Sequence, residues 1–297
     1  MMKNQYESCL LCGRGCGVDR TAGEVGYCGM SATPTVARAS LHEWEEPPIS
    51  GERGSGTVFF SGCSLGCVFC QNRNIADGSV GRAVTDSRIA EMMLELSSLG
   101  AHNINLVTPT HFAPTVISSV RLARERGMSL PIVYNTSSYD TVETLRSLEG
   151  TVDIYLADYK YHLPRTAERL AGAADYPAVA REAIAEMVRQ KPTPVIEDGI
   201  MKSGVIVRIL LLPSHVAEAK LAVKYLHETY GDAIYLSLMS QYTPMKGMKS
   251  PLDRRVTTEE YRELVDYAIE KGVERAFVQE GESASESFIP EFDMTGV

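Results

Sequence analysis

Seven short apolar runs recur along the chain, at residues 57–60, 104–107, 131–134, 154–157, 205–212, 234–239 and 276–278. They are rich in β-branched residues and apolar on both faces, as parallel strands buried between two layers are. Amphipathic stretches separate them. Asp86 can cap a helix whose apolar residues Ile89, Met92, Met93 and Leu96 fall on one face. Val179, Ala180, Ala183, Ile184, Met187 and Val188 form a second stripe. Thr257 and Glu260 have capping-box spacing ahead of Tyr261, Leu264, Val265, Ala268 and Ile269. The methionines in these stripes read as core. Strands alternating with helices predict a parallel α/β sheet with right-handed crossovers. A doubly wound open sheet and an incomplete barrel both fit. In either, reactive groups collect where strands end and loops begin.

The pattern divides the chain into a cysteine-rich metal-binding segment and linker over residues 1–50, a repeating body over 51–282, and a tail over 283–297. Within the linker, Glu45-Glu46-Pro47-Pro48 and then Gly54-Ser55-Gly56 oppose regular structure. His42 and Trp44, at its start, read as packing residues rather than as cover for a site. A chain of 297 residues, 44% hydrophobic and 23% charged, can bury one barrel-sized core. Its net charge of -9, with no dense Lys/Arg run, argues against a nucleic-acid partner. No stretch has the length of a signal-peptide core or a membrane helix, so a cytoplasmic location is expected. The seven cysteines all lie at or before Cys70. Disulfides would be spread through the fold; thiols gathered at one end read as metal ligands kept reduced.

Three of them, Cys63, Cys67 and Cys70, have C-x3-C-x2-C spacing in a glycine-flanked loop directly after the first apolar run of the body. Three thiolates on one loop can hold three corners of an iron–sulfur cube and leave the fourth iron open to a small molecule. A zinc loop borrowing a distant ligand is the alternative, but this spacing suits zinc poorly. The other four, Cys9, Cys12, Cys16 and Cys28, have C-x2-C-x3-C-x11-C spacing among glycines. Four thiolates fit either a zinc ion or a complete second iron–sulfur cluster, and spacing alone leaves both open.

The triplet, with Phe69 just before its third cysteine, resembles the signature of the radical S-adenosylmethionine superfamily. Ser61-Gly62-Cys63, Cys67-Val68-Phe69-Cys70 and Gln71-Asn72 are similar to the first-strand loop of the pyruvate formate-lyase activating enzymes. The likeness continues in Thr108-Pro109-Thr110-His111-Phe112, Asp158-Tyr159-Lys160 and Leu238-Met239-Ser240-Gln241-Tyr242-Thr243-Pro244, segments similar to a subgroup of activating-type proteins without an assigned target. The resemblance implies a partial (β/α)6 TIM-like barrel behind the cysteine-rich extension. It implies a 4Fe–4S cluster on Cys63, Cys67 and Cys70, with S-adenosylmethionine on the fourth iron. Reductive cleavage then yields methionine and a 5′-deoxyadenosyl radical that takes hydrogen from a substrate. A flavodoxin or ferredoxin reductant is implied, as is a glycyl-radical enzyme as protein substrate. The rival expectations are a radical maturase of another peptide or of a small molecule, and a non-catalytic iron–sulfur or zinc protein.

The resemblance also implies cofactor contacts. Activating enzymes carry Gly-Gly-Glu at the second strand end, where this chain has Thr108, Pro109, Thr110 and His111. That departure leaves the Thr108 and Thr110 hydroxyls, His111 or backbone carbonyls to meet the methionine end. Asn135 falls in a ribose- or methionine-facing motif, though it equally suits a turn. Asp158 and Lys160 share one face of an extended strand, and Lys160 is expected to pair with the methionine carboxylate. Arg208 is the one charge inside its apolar run and is expected either to bind a carboxylate or to pair with a nearby acid. Gln241 ends the strand expected near the adenine.

Overall fold

The computed structural model describes residues 5–279 and 290–297. In chain order its elements are β1 (Thr35–His42), α1 (Pro47–Ser50), β2 (Ser55–Phe60), α2 (Arg73–Ala76), β3 (Arg82–Ala83), α3 (Asp86–Ser98) and β4 (Ile104–Val107). There follow α4 (Ala113–Glu125), β5 (Ile132–Thr136), α5 (Val142–Ser147), β6 (Ile154–Asp158), α6 (Pro164–Ala171), α7 (Tyr176–Gln190), β7 (Val195–Glu197) and β8 (Ile200–Leu210). The chain closes with α8 (Val216–Tyr230), β9 (Tyr235–Met239), α9 (Thr258–Glu270) and β10 (Ala276–Val278).

All seven apolar runs are strands. They lie side by side in the order β10-β9-β8-β6-β5-β4-β2, every neighbour parallel. This order is monotonic and has no switch point, which separates a barrel-type winding from a doubly wound sheet. Among the described residues β2 and β10 do not pair, so the mixed α/β sheet stays open. The resemblance implies six parallel strands, whereas the seven of the apolar pattern are present, the last being the short β10. Antiparallel β1 and β3 extend the β2 edge, and β7 pairs only with β8.

Side chains alternate across each strand. One face carries the large core beneath the helices, with Tyr134, Tyr155, Val205 and Val207 among its members. The other face has two layers. Val133, Ile154, Leu156 and Ile206 pack against Ile49 of α1 and Met201 in an apolar floor. Two residues further along the same strands, on the same face, stand Asn135, Asp158 and Arg208. The floor therefore leads directly to a polar layer.

The segment read as an irregular linker is built into this interior. β1 pairs with β2 through six residues, His42 opposite Ser55 at its end. The two prolines begin α1, where a missing N–H costs nothing. Fully buried Ile49 closes the floor, its carbonyl accepting from Asn103 Nδ2 at 2.7 Å. The α9 capping box forms as expected. Thr85, not Asp86, caps α3; Asp86 lies in the first turn, where its charge suits the helix dipole. Of the expected tail, 283–289 lie outside the described residues. Residues 290–297 run along β1, with Ala39 N–H donating to Thr295 O and Met294 N–H to Ala37 O. Phe292 meets the Phe59 ring edge-on at 5.3 Å.

Candidate cluster and cofactor site

The loop after β2 presents the thiols of Cys63, Cys67 and Cys70 to one cavity of about 270 Å³ at the strand ends. Gly62 makes the turn possible, with φ 87 and no room for a Cβ against Met30 and the Cys28 carbonyl. Phe69 is buried and meets Tyr161 and Tyr242 edge-on, fixing the loop from below. Hydrogen bonds already point at the sulfurs. Leu65 and Gly66 N–H groups donate to Cys63 Sγ at 3.4 and 3.5 Å. The Tyr161 hydroxyl donates to Cys67 Sγ at 3.0 Å.

Burial pushes the Cys67 thiol up to about 12, against the pull of nearby Lys160 and Tyr161. Burial, aided by Cys63, pushes Cys70 up to about 11. Without a metal these groups are thiols; ligation displaces their protons. Among the described residues no three His, Cys, Asp or Glu side chains converge as one metal ion requires. The triplet is a three-sulfur set with donors aimed at two of its sulfurs, on a cavity wall. It fits a multi-iron cluster, which spans more than an ion and needs three ligands here.

Thr108, Asn135, Asp158, Lys160, Arg208 and Gln241 line the same cavity. Their roles differ. Arg208 Nε donates to Asp158 Oδ1 at 2.6 Å, one terminal nitrogen to Glu45 Oε2 at 3.0 Å and the other to Asn135 Oδ1 at 2.6 Å. Asn135 and Asn105 each donate to Glu45 Oε1, at 3.2 and 3.0 Å. Lys160 Nζ donates to Asp158 Oδ2 at 2.7 Å. An unbroken polar chain thus runs from Glu45 through Arg208 and Asp158 to Lys160. Arg208 and Asn135 spend their side chains within it. Of the two expectations for Arg208, pairing with nearby acids is the arrangement present.

Charges follow the contacts. Burial acts to raise the Asp158 carboxyl, but Arg208 and Lys160 outweigh it and hold the group below its ordinary value. Burial raises Glu45, with Arg208 as the largest opposing influence. Glu46 is raised for the same reason, and its Oε2 is buried without a partner. Burial also opposes the charge of Lys160, yet Asp158 and Cys67 raise its pKa on balance. A retained ammonium therefore stands beside the triplet. It has three donor directions and meets one acceptor, Asp158, among the described residues.

Thr108 has φ 56, a left-handed backbone that costs a β-branched residue roughly 1–3 kcal/mol. This strain sits on the cavity wall. Thr110 and His111 do not reach the cavity lining. The Thr110 hydroxyl lies 3.1 Å from that of Thr136, and His111 Nε2 bonds the Ser61 carbonyl at 2.8 Å, behind the loop. Burial drives His111 down to about 3, so the ring is neutral. Gln241 is held through Gln279 Nε2 at 3.1 Å and, at its carbonyl, through Gln71 at 3.3 Å.

His42 and Trp44, read as packing residues, also line the cavity. Sequence reasoning missed Glu45, Asn105, Tyr161 and Gln279. Asn105 was the detectable one, a lone amide inside an otherwise apolar strand run.

The fold and the site together define an open α/β barrel with a three-thiolate cluster loop after its first parallel strand. Residues 57–201 match the family model of the Radical SAM superfamily. The uncharacterized protein MJ0674 of Methanocaldococcus jannaschii is 27% identical over 277 residues, covering 90% of this chain and 75% of that protein. A radical SAM methyltransferase from Sphaerobacter thermophilus shares the fold at TM-score 0.56 and 18% identity, over 80% of this chain and 69% of that one. Methylornithine synthase does so at TM-score 0.52 and 15% identity, over 82% and 65%. The chain is thus similar to the radical S-adenosylmethionine superfamily over residues 57–201, just under half of its length. It is a radical SAM enzyme that cleaves S-adenosylmethionine, with a 4Fe–4S cluster as cofactor, and it needs a reductant. No helix among the described residues is long and apolar enough to cross a membrane.

Proposed function

We propose that this enzyme takes a hydrogen from a polypeptide partner, as enzymes that activate glycyl-radical proteins do. The observation that carries this reading is the shape of the cavity rim. Gln71 and Pro290 line both the cavity and a shallow outer groove of about 580 Å³. The groove is also lined by Arg73, Asn74, Asp77 and Ser79, polar groups suited to an extended backbone and its side chains. A wholly enclosed site would favour a small molecule instead.

When bound, the cluster and S-adenosylmethionine supply the electron and the 5′-deoxyadenosyl group that takes the hydrogen. The chain's own residues bind and orient. Cys63, Cys67 and Cys70 hold the cluster. Lys160, its position set by Asp158, offers its remaining donors to a carboxylate. Thr108 and Gln241 flank the same space from β4 and β9. Arg208, Glu45 and Asn135 brace the layer beneath. A flavodoxin or ferredoxin is the reductant in this reading.

The test is anaerobic. The reconstituted enzyme is reduced with S-adenosylmethionine present, alone and with a candidate glycyl-radical protein. The expected results are 5′-deoxyadenosine from the enzyme and a glycyl-radical signal on the partner. Deoxyadenosine formed in step with the loss of a small molecule, with no radical on any polypeptide, would overturn the partner assignment.

A further inference from the structure

We infer that Cys9, Cys12, Cys16 and Cys28 hold a second iron–sulfur cluster, which passes electrons to the cluster on the triplet. The relay rests on the triplet as the site of S-adenosylmethionine cleavage; the metal assignment does not.

The head is folded around its four sulfurs. Cys9 N–H donates to Val18 O and Gly17 N–H to Cys9 O, which turns the segment carrying Cys12 and Cys16 back on itself. Gly26 lies so near Cys16 that a Cβ there would be 3.0 Å from its sulfur. The Tyr27 N–H, next to Cys28 in the chain, donates to Cys16 Sγ at 3.3 Å, and buried Arg20 donates to Cys9 Sγ at 3.7 Å. All four are free thiols.

Cluster rather than zinc follows from two features. A zinc ion gathers four sulfurs about one point at roughly 2.3 Å, and among the described residues no three thiols converge in that way. The second feature is placement. Cys16 is exposed, whereas Cys9, Cys12 and Cys28 are buried. On the buried side the Cys28 carbonyl lies 2.8 Å from where a Gly62 Cβ would stand, one residue from Cys63. The four-cysteine centre thus lies between solvent and the triplet.

The contact is braced. Arg14 donates to the Ser64 and Leu65 carbonyls of the triplet loop, and to Ala171 and Gly172 at the end of α6. Fully buried Arg20 donates to the Met30, Ser31 and His111 carbonyls. A zinc knot needs no such junction with the reactive loop. The electron count is simple. A low-potential one-electron carrier of the flavodoxin or ferredoxin class is oxidised by one electron at the Cys16 face. The head cluster gains that electron and gives it to the triplet cluster, with no bond made or broken.

Two measurements test this. In the first, the Cys63→Ala, Cys67→Ala, Cys70→Ala triple variant is reconstituted anaerobically with iron, sulfide and equimolar zinc. About four irons and four sulfides per chain are expected, with a cluster signal on reduction. One zinc without iron, or neither metal, overturns the assignment. In the second, Cys16→Ser is compared with wild type for 5′-deoxyadenosine formation. With reduced flavodoxin the rate is expected to fall at least about tenfold, and with titanium(III) citrate to stay near wild type. Equal rates with flavodoxin overturn the relay. If wild type makes no deoxyadenosine while the triple variant holds four irons, the cleavage reading fails and the head cluster stands.

Discussion

Arg208→Met tests the polar layer most severely. The guanidinium is 11% exposed, and its acidic partners Glu45 and Asp158 are 9% and 18% exposed. Removing one member of a buried pair costs about 3–5 kcal/mol, because the other charge stays behind. The two carboxylates do not suffer equally. Asp158 keeps Lys160 at 2.7 Å. Glu45 keeps only the amides of Asn105 and Asn135. Glu45 should therefore carry most of the loss, and this gives the variant a pH signature. Its carboxyl is already raised by burial, and Arg208 is the largest influence holding it down. Without Arg208 it rises further. A raised acid holds a proton in the fold that it has released in the unfolded chain. The resulting instability is absent below the unfolded value of about 4.3 and grows as pH rises above it, by up to about 1.4 kcal/mol per pH unit. Asp158 runs the other way. Its lowered value lends stability above about 3.9 that is lost as pH falls, and the variant keeps only the Lys160 share. Anaerobic urea unfolding at pH 5 and pH 7.5 reads the difference. The expected loss is full, about 3–5 kcal/mol, at pH 7.5 and clearly smaller at pH 5. Adding Glu45→Gln should return about 1–3 kcal/mol at pH 7.5. A loss under about 1 kcal/mol, or one equal at both pH values, would refute the buried pairing.

Other substitutions probe the remaining parts. Cys67→Ala should abolish 5′-deoxyadenosine formation and remove about four irons per chain; surviving cleavage would mean the ligands are misassigned. Gly62→Ala puts a Cβ 2.5 Å from Met30 Cγ, in a left-handed backbone that itself costs about 1–2 kcal/mol, so both thermal midpoint and iron content should drop; wild-type values would rule out the tight approach. His111 is neutral in the fold, at about 3, and protonates near 6.5 when unfolded. Its contribution is full above 6.5 and lost as pH falls, so His111→Gln should flatten the decline of stability from pH 6.5 to 5; an unchanged slope would point to another group. Thr257→Ala should cost about 1 kcal/mol in denaturant unfolding through the α9 cap alone, with iron content untouched.

The parallel strands were legible because burial on both faces leaves continuous apolar runs, and α3, α7 and α9 because their stripes have helical period. The triplet was legible because ligand spacing is local. What escaped is what depends on distant partners. Glu45-Glu46-Pro47-Pro48 has the composition of a loop, and nothing local shows that Ile49 closes a floor made by β5, β6 and β8. β1 was missed because an antiparallel edge strand with polar outward positions, Arg38 and Ser40, lacks the continuous apolar run of its neighbours. Arg208 was visible as an anomaly, but its two acids lie 50 and 163 residues away. The Thr108–His111 segment could be aligned with a cofactor-binding position. Only the fold shows that Thr108 faces the cavity while His111 turns behind Gly62 to hold the Ser61 carbonyl.

These pieces account for the placement of a lysine beside three sulfurs. A partly buried ammonium next to a loop of thiols is held in register only if its carboxylate partner cannot turn away. Asp158 is fixed by Arg208 on one oxygen and by Lys160 on the other. Arg208 is fixed in turn by Glu45 and Asn135. Glu45 is fixed by its position just ahead of α1, whose Ile49 is locked into the floor. The orientation of Lys160 therefore derives from a hydrophobic contact at the far end of the barrel interior. Ile49→Ala, made well away from the cavity, should thus do more than open a void costing about 2–5 kcal/mol. It should loosen Glu45 and weaken S-adenosylmethionine binding, while leaving the iron content of the triplet unchanged. A variant that loses stability but binds the cofactor as wild type does would show that Asp158 alone positions the lysine.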